Sequence, residues 1–284
     1  MEPWLLLDVE TSGTDPKVDR LVEVGAVLFD PNLGIPVRAE SVLIDGESNA
    51  AEAINRIPAA ALRGTWCVDE LEAHRLVYEL SEQAQYILAH QASFDRSWFP
   101  AEISERRWIC TMDDASWPRC HKEGAGLATV ALSYDVGVVR AHRAIEDVLT
   151  LAAILGRVHE IEGGLQLWLT RALEPRNDLM AEVLYGDERA KELGFRWDGD
   201  AKEWRKRARI SVVERLIAEA PFPVAHVHEE SVELIGMQGY DNNQLAKDAG
   251  FRWDGERKIW VRRVRRSVVG IVRDSLGFKT KEAA

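Results

Sequence analysis

Trp4 to Leu7 is an unbroken apolar run that stops at Asp8, and after the turn-rich stretch Ser12-Gly13-Thr14-Asp15-Pro16 a β-branched apolar segment follows from Leu21 to Phe29. This pattern predicts a strand, a turn and a second strand, with a third strand over Arg38 to Ile44. Helical spacing then takes over from Val68 to Leu80, where Val68, Leu71, Leu76 and Leu80 are apolar. Tyr86 to Ala89 and Trp108 to Thr111 are two more short apolar runs, and Ile145, Val148, Leu149, Ala152 and Leu155 restore the helical period over Ala144 to Val158. Early strands followed by strand and helix in alternation predict an α/β unit with a mixed sheet flanked by helices.

Further along, the pattern repeats itself. At an offset of 56, Ala190 to Arg207 (AKELGFRWDGDAKEWRKR) aligns with Ala246 to Arg263 (AKDAGFRWDGERKIWVRR), identical at 11 of 18 positions, and Ser211-Val212-Val213 and Ser267-Val268-Val269 keep the register. One small unit has been duplicated. Each copy predicts a short helix closed by a C-cap glycine, Gly194 or Gly250. A hairpin follows, in which Phe-Arg-Trp enters a tight Asp-Gly turn (Asp198-Gly199, Asp254-Gly255) and returns through Lys-x-Trp. A second helix is expected from Ser211 or Ser267, and a further strand over Glu182 to Tyr185 and Val232 to Ile235. The expected organisation is a first domain over 1–160, a linker over 161–178 containing the pair Gly163-Gly164, and a smaller α+β tandem region with modules at 179–222 and 228–279.

Composition narrows the classes. Hydrophobic residues make up 46% and charged residues 29%, as in a folded chain, and no apolar run approaches the roughly 18 to 20 residues of a membrane span. The start Met1-Glu2-Pro3-Trp4 lacks a basic region, and Cys67, Cys110 and Cys120 are sparse with no C-x-x-C spacing. Neither a secretory signal, a disulfide framework nor a zinc site is expected, and the expected location is a reducing cytoplasm. Cys110, Cys120 and His121 are three scattered ligand types without a fourth, and read as packing and surface.

A net charge of −11 weighs against a polyanionic partner until it is divided along the chain. Residues 1–160 hold 14 Lys+Arg against 26 Asp+Glu, net −12, and the remaining 124 hold 22 against 21, net +1. Basic residues gather beside the tryptophans of each repeat: Arg205-Lys206-Arg207 with Arg209, and Arg262-Arg263 with Arg265-Arg266. These clusters read first as a phosphate track and second as solvated strand ends. Trp197, Trp204, Trp253 and Trp260 read first as packing in a small domain and second as a stacking platform for unpaired bases.

The acidic part contains candidate chemistry. Asp8 and Glu10, two residues apart at a strand end, leave the same face of the pleat and can converge on one cation, though a solvated strand end would look the same. Asp95 follows the Tyr86–Ala89 strand in the first turn of a helix, where the helix dipole already favours a carboxylate. His142 and Asp147 would lie about 140° apart within one helix. They act together only if His142 sits in the connection before the helix and Asp147 on its first turns.

In this order the sequence resembles the DEDDh exonucleases, the superfamily of polymerase proofreading subunits, ribonuclease T and oligoribonuclease, and within it exonuclease X. The carriers run from Trp4 to about Leu155: Leu7-Asp8-Val9-Glu10-Thr11-Ser12-Gly13, His90-Gln91-Ala92-Ser93-Phe94-Asp95-Arg96, Trp108-Ile109-Cys110-Thr111-Met112 and His142-Arg143-Ala144-Ile145-Glu146-Asp147. Gln91 stands where the family usually has Asn, a longer arm that bears on nucleotide positioning rather than on metal binding. The repeats are similar, over a short span, to Gly-Phe-Arg-Trp-Asp modules appended to DNA-processing proteins.

The resemblance implies a ribonuclease H-like mixed sheet and two-metal hydrolysis of phosphodiesters from a free 3′ end. Asp8, Glu10, Asp95 and Asp147 would hold two Mg²⁺ ions, with Mn²⁺ as a substitute, and His142 would be the general base. The residue types suit the task, since hard cations take carboxylate oxygens and an imidazole of pKa near 6.5 accepts a proton at neutral pH. Thr11, Ser12, Gly13, Gln91 and Phe94 are the implied contacts to the terminal nucleotide. The reading is a metal-dependent 3′–5′ exodeoxyribonuclease with a C-terminal nucleic-acid-binding tandem module, its partner a nucleic acid with a free 3′ end, DNA favoured over RNA. An exoribonuclease would share the carboxylate site, and a silent nuclease fold that only binds nucleic acid is the reading from another class. A protein partner for the Trp- and Arg-rich repeats stays open.

Overall fold

The opening apolar run forms β1 (Trp4–Thr11), which pairs antiparallel with β2 (Leu21–Asp30), itself antiparallel to β3 (Ile35–Leu43). On its other side β1 pairs parallel with β4 (Tyr86–Ala89), and β4 parallel with β5 (Trp108–Cys110). The result is a five-stranded mixed sheet, β3-β2-β1-β4-β5. The computed structural model describes residues 1–120, 124–139, 141–237 and 243–283; His121 and residues 238–242 of the second module lie outside them. Two compact units divide the chain, Met1–Leu173 and Glu174–Ala284.

In the first unit the helices are α1 (Glu52–Asn55), α2 (Glu70–Ser81), α3 (Ala92–Arg96), α4 (Ala101–Ser104), α5 (Leu127–Ser133), α6 (Ala144–Glu162) and α7 (Gln166–Ala172). Alternation along β1 divides its core between two layers. Trp4 and Leu6 pack with Val148, Leu151, Ala152 and Leu155 of α6, and Leu5, Leu7 and Val9 pack with Ala73, Val77 and Leu80 of α2. Burying each such aliphatic side chain contributes about 1.5–3 kcal/mol, and the α6 stripe fixes which way the first turn of that helix faces. Among the described residues no helix is long and apolar enough to cross a membrane.

The stretch 161–178 is not a linker. Gly163, at φ 71°, caps α6 in the left-handed conformation, and α7 follows three residues later. Trp168 is fully buried, its ring 5.6 Å from that of Trp4 and 5.6 Å from that of Trp117. The glycine pair ends a helix rather than a domain, and the helical spacing of Leu165, Trp168, Leu169 and Ala172 carries the core onward.

The second unit holds the repeat as two antiparallel four-stranded sheets, β7-β8-β6-β9 and β11-β12-β10-β13. The first copy runs β6 (Arg176–Ala181), α8 (Glu188–Glu192), β7 (Arg196–Asp198), β8 (Glu203–Arg209), α9 (Ile210–Glu219) and β9 (Val224–His226). The second runs β10 (Ser231–Gly236), α10 (Asn243–Asp248), β11 (Arg252–Asp254), β12 (Ile259–Arg265), α11 (Val269–Ser275) and β13 (Thr280–Glu282). Gly194 and Gly250 both take φ 76° at the helix ends, as expected.

Two details differ from the sequence reading. Glu182–Tyr185 is not a strand; β6 lies upstream, where the offset of 56 maps β10 (231–236) onto 175–180. The hairpin loops are also longer than a tight Asp-Gly turn. Asp198 Oδ1 accepts the N–H groups of Asp200 (3.0 Å) and Ala201 (2.9 Å), Asp254 Oδ1 those of Glu256 (3.1 Å) and Arg257 (2.9 Å), and the left-handed residues are Lys202 (φ 56°) and Lys258 (φ 52°). The aspartate thus acts as a side-chain turn cap. Trp204 and Trp260 are buried, and Trp197 and Trp253 meet them edge to face at 5.7 and 5.4 Å.

Candidate active site

Because side chains alternate along β1, Asp8 and Glu10 share the Trp4–Leu6 side, the side on which α6 packs. Asp147 lies in the first turn of that helix. Carboxylate oxygens of Asp8, Glu10 and Asp147 fall within 4.8 Å of one another, a group that could hold a metal ion.

Asp95 is brought alongside by α3, only 2% exposed. The β1–β4 ladder ends at Leu6 and Leu88. The next free donor, the Val9 N–H, goes instead to Asp95 Oδ1 at 3.1 Å.

Burial pushes the Asp8 carboxyl well above the usual carboxylate range, and the charges of Asp95, Asp147 and Glu10 push the same way. Glu10 is raised to about 7, by burial first and then by Asp147 and Glu23, with Arg143 opposing. Burial lifts Asp95 to about 7 against the pull of the Val9 N–H. Asp147 is also raised by burial, opposed by the His142 N–H. Three converging, half-buried carboxylates with the buried Asp95 charge acting on Asp8 oppose one another and fit a divalent cation, which would neutralise them.

His142 is exposed, in the connection before α6, with its backbone in the left-handed region at φ 65°. That conformation costs about 1–3 kcal/mol for a non-glycine residue. It is held by the His142 N–H, which donates to Asp147 Oδ2 at 3.1 Å. A cavity of about 230 Å³ opens beside the pair, lined by His142, Asp147, Thr150, Leu127, Thr129 and Val138 among others.

The sequence reading missed what seats this helix. Glu23, opposite Glu10 on β2, is 0% exposed, and its carboxylate accepts four hydrogen bonds: from Arg143 Nε and Nη2 (both 2.9 Å), the Ala144 N–H (3.1 Å) and Ser41 Oγ (3.1 Å). Gly25, opposite Asp8, lets the helix come close, since a Cβ there would lie 2.4 Å from the Ala144 carbonyl carbon. A single carboxylate inside the apolar run Leu21–Phe29 was the available signal.

The other expected residues are placed as follows. Thr11 Oγ1 donates to the Gly13 carbonyl at 2.5 Å, and Ser12 Oγ accepts the Arg20 N–H at 3.1 Å, so both hydroxyls help to shape the loop after β1. Gln91 is exposed at the start of α3, and Phe94 packs edge-on against Trp98 at 5.9 Å.

In the second unit Arg205 pairs with Asp198 (2.9 Å) and Glu203 (3.1 Å), Arg265 with Glu203 (2.9 Å) and Arg266 with Glu282 (2.8 Å). Lys206 Nζ donates to the Leu193 carbonyl (3.0 Å), and the equivalent Arg262 donates to the Ala249 carbonyl (2.8 Å) and pairs with Glu182 (3.3 Å). Arg207 faces Asp178 at 3.7 Å, and Arg263 is exposed.

A family model described as exonuclease (RNase T) matches residues 5–155, and a domain of unknown function (DUF8626) matches residues 236–281. Among curated relatives, the PolC-type DNA polymerase III of Thermotoga petrophila is 26% identical over 171 residues, 56% of this chain. The chain spans only 12% of that polymerase's length. The epsilon subunit of DNA polymerase III from Treponema pallidum is 28% identical over 153 residues, 49% of this chain and 68% of the relative. Of solved structures, exonuclease X in complex with 5′ overhanging duplex DNA matches at TM-score 0.44 and 25% identity, over 60% of this chain and 98% of the other. E. coli exonuclease I in complex with a dT13 oligonucleotide matches at TM-score 0.46 and 15% identity, over 98% and 69%.

Proposed function

Since the chain belongs to the exonuclease family over residues 5–155, we propose that it is a metal-dependent 3′–5′ exodeoxyribonuclease whose C-terminal unit binds nucleic acid. The observation that supports this most directly is the convergence of the half-buried Asp8, Glu10 and Asp147 at the end of β1. Asp8, Glu10, Asp95 and Asp147 would hold two Mg²⁺ ions, Mn²⁺ serving as well. When bound there, such ions would supply activation of a water and charge stabilisation at the leaving 3′ oxygen.

The protein's own groups do the rest. His142, next to the cavity and tied to Asp147 through its backbone, takes the proton of the attacking water as general base. Asp95, anchored on the Val9 N–H, would add the fourth carboxylate beside the three that converge. Thr11 at the end of β1, Ser12 and Gly13 on the loop leaving it, and Gln91 and Phe94 at the start of α3 would grip the terminal nucleotide.

The test is degradation of DNA and RNA oligonucleotides labelled at the 5′ end, with Mg²⁺, Mn²⁺ or EDTA, beside Asp8→Asn. A metal-dependent ladder shortening from the 3′ end of DNA, lost in the variant, is expected. Trimming of RNA alone would make the enzyme an exoribonuclease. Binding without cleavage under any metal would leave a nucleic-acid-binding protein on a silent fold.

A further inference from the structure

The tandem unit is rich in arginine, and most of these side chains are already committed to carboxylates or carbonyls of the unit itself. Two positions stand apart in both copies. Arg196 and Arg252 open β7 and β11, Arg207 and Arg263 lie on β8 and β12, and all four are exposed. Among the described residues Arg196, Arg252 and Arg263 make no ion pair or side-chain hydrogen bond; Arg207 has only Asp178 at 3.7 Å, with both side chains about two-thirds in solvent. An exposed pair of this kind contributes about 0–1 kcal/mol and is readily exchanged.

The register puts the two arginines of each copy together. Arg196 is opposite Arg205 and Arg252 opposite Val261. Arg207 and Arg263 each lie two residues further along the partner strand, hence on the same face and about 7–8 Å away on the diagonal. The tryptophans opposed across each hairpin, Trp197 with Trp204 and Trp253 with Trp260, take the other face. On the arginine face the copies have diverged at neighbouring sites, Glu203 against Ile259 and Arg205 against Val261, while both arginine positions are the same.

We propose that these two repeated pairs, Arg196 with Arg207 and Arg252 with Arg263, are the contacts of the tandem unit to the phosphodiester backbone of a nucleic-acid strand. Lys206, Arg262 and Arg265 have a different job, holding helix ends and carboxylates inside the unit. Guanidinium forks at this spacing suit phosphate oxygens and carry no base preference, so the grip is independent of sequence. This deepens the nucleic-acid-binding reading of the second unit and rests on it.

The experiment is fluorescence anisotropy of a 5′-labelled (dT)20 with the full chain in EDTA, which separates binding from cleavage, from 50 to 200 mM salt. Wild type is compared with Arg196→Gln/Arg207→Gln, with Arg252→Gln/Arg263→Gln, with all four changes together, and with Lys191→Gln/Lys247→Gln as a control of matched charge on α8 and α10. Each phosphate contact to a single strand contributes about 0.7 to the slope of log Kd against log salt. Each arginine double should therefore flatten the slope by about 1.4 and the quadruple by about 2.8, with little change in the lysine control.

Arginine doubles indistinguishable from the lysine control would overturn the assignment while leaving the binding reading intact. A wild-type chain without salt-dependent binding would overturn both. Equal affinity of wild type for a polyglutamate of the same charge would give the face to an acidic protein instead.

Discussion

Glu10 and Asp95 hold their protons up to about pH 7, against ordinary values of 4.5 and 3.8. Between the ordinary and the raised pKa the fold binds more protons than the unfolded chain, so this contribution to stability falls as pH rises through 7. His90, half-buried between Thr111 Oγ1 and the Ala125 carbonyl, is depressed by burial below its ordinary 6.5 and is neutral above that pH in both states. From pH 6.5 to 8.5, therefore, the metal-free protein should lose Tm and saturating Mg²⁺ should remove the loss, as read by differential scanning fluorimetry. A metal-free Tm that rises over this window would contradict the raised carboxyls. Mg²⁺ affinity should also weaken by roughly tenfold per pH unit below 7 for each of the two groups. Asp8→Asn replaces a carboxyl whose ionisation the site opposes, so it should raise the metal-free Tm, abolish the Mg²⁺-dependent gain and lower activity by at least about 10²-fold. The carboxylates were legible because a period of two puts Asp8 and Glu10 on one face. Glu23 stands out only as a lone carboxylate in an apolar strand, and nothing local tells a fully bonded buried carboxylate from a ligand.

The element that decides the site is the entry into α6. Glu23 and Gly25, which flank Val24 on β2, receive that helix from below, one by four hydrogen bonds and the other by the absence of a Cβ. His142 and Asp147 move with this seat. Gly25→Ala has to displace the Ala144 backbone, which should cost about 1–3 kcal/mol and, through a shift of about 1 Å at His142 and Asp147, about 10²-fold in kcat. Glu23→Gln leaves the Arg143 guanidinium, 25% exposed, without its anion. A loss of about 2–3 kcal/mol is expected, the low side for a broken buried pair because water reaches Arg143. Both are checked by chemical denaturation and by turnover well below Tm; unchanged kcat in folded Gly25→Ala would show that the close approach does not position the site. Strands β1, β2, β4 and β5 and helix α6 could be read from their apolar patterns; α2 forms where expected, but the face it buries is Ala73, Val77 and Leu80, while Leu71 stays exposed. The strand β6 could not, because Arg176-Asn177-Asp178 opens it with polar residues whose pairing partners, Arg209, Ala208 and Arg207, lie some 30 residues away.

At the scale of the whole molecule the fall in acidity coincides with a change of architecture, but the boundary lies beyond the glycine pair. Leu165, Trp168, Leu169 and Ala172 belong to the same core as Trp4, Leu6 and α6. A fragment of residues 1–173 should therefore fold and hydrolyse a small phosphodiester with a KM near that of the full chain, and calorimetry should show one cooperative transition. A fragment of residues 1–160 loses Trp168, which alone should cost about 3–5 kcal/mol, and should be molten or aggregated. If 1–160 proves as stable as 1–173, α7 is an appendage and the linker reading is restored. On a long oligonucleotide the fragment 1–173 faces its substrate with only the acidic unit. Its KM should rise most at low salt, where the repulsion of a polyanion is least screened, and its salt dependence should be flatter than that of the full chain. The tandem unit would then offset by attraction the repulsion that a carboxylate site for metal ions brings with it. Equal KM and equal salt slope with and without residues 174–284 would mean that the acidic unit meets nucleic acid unaided.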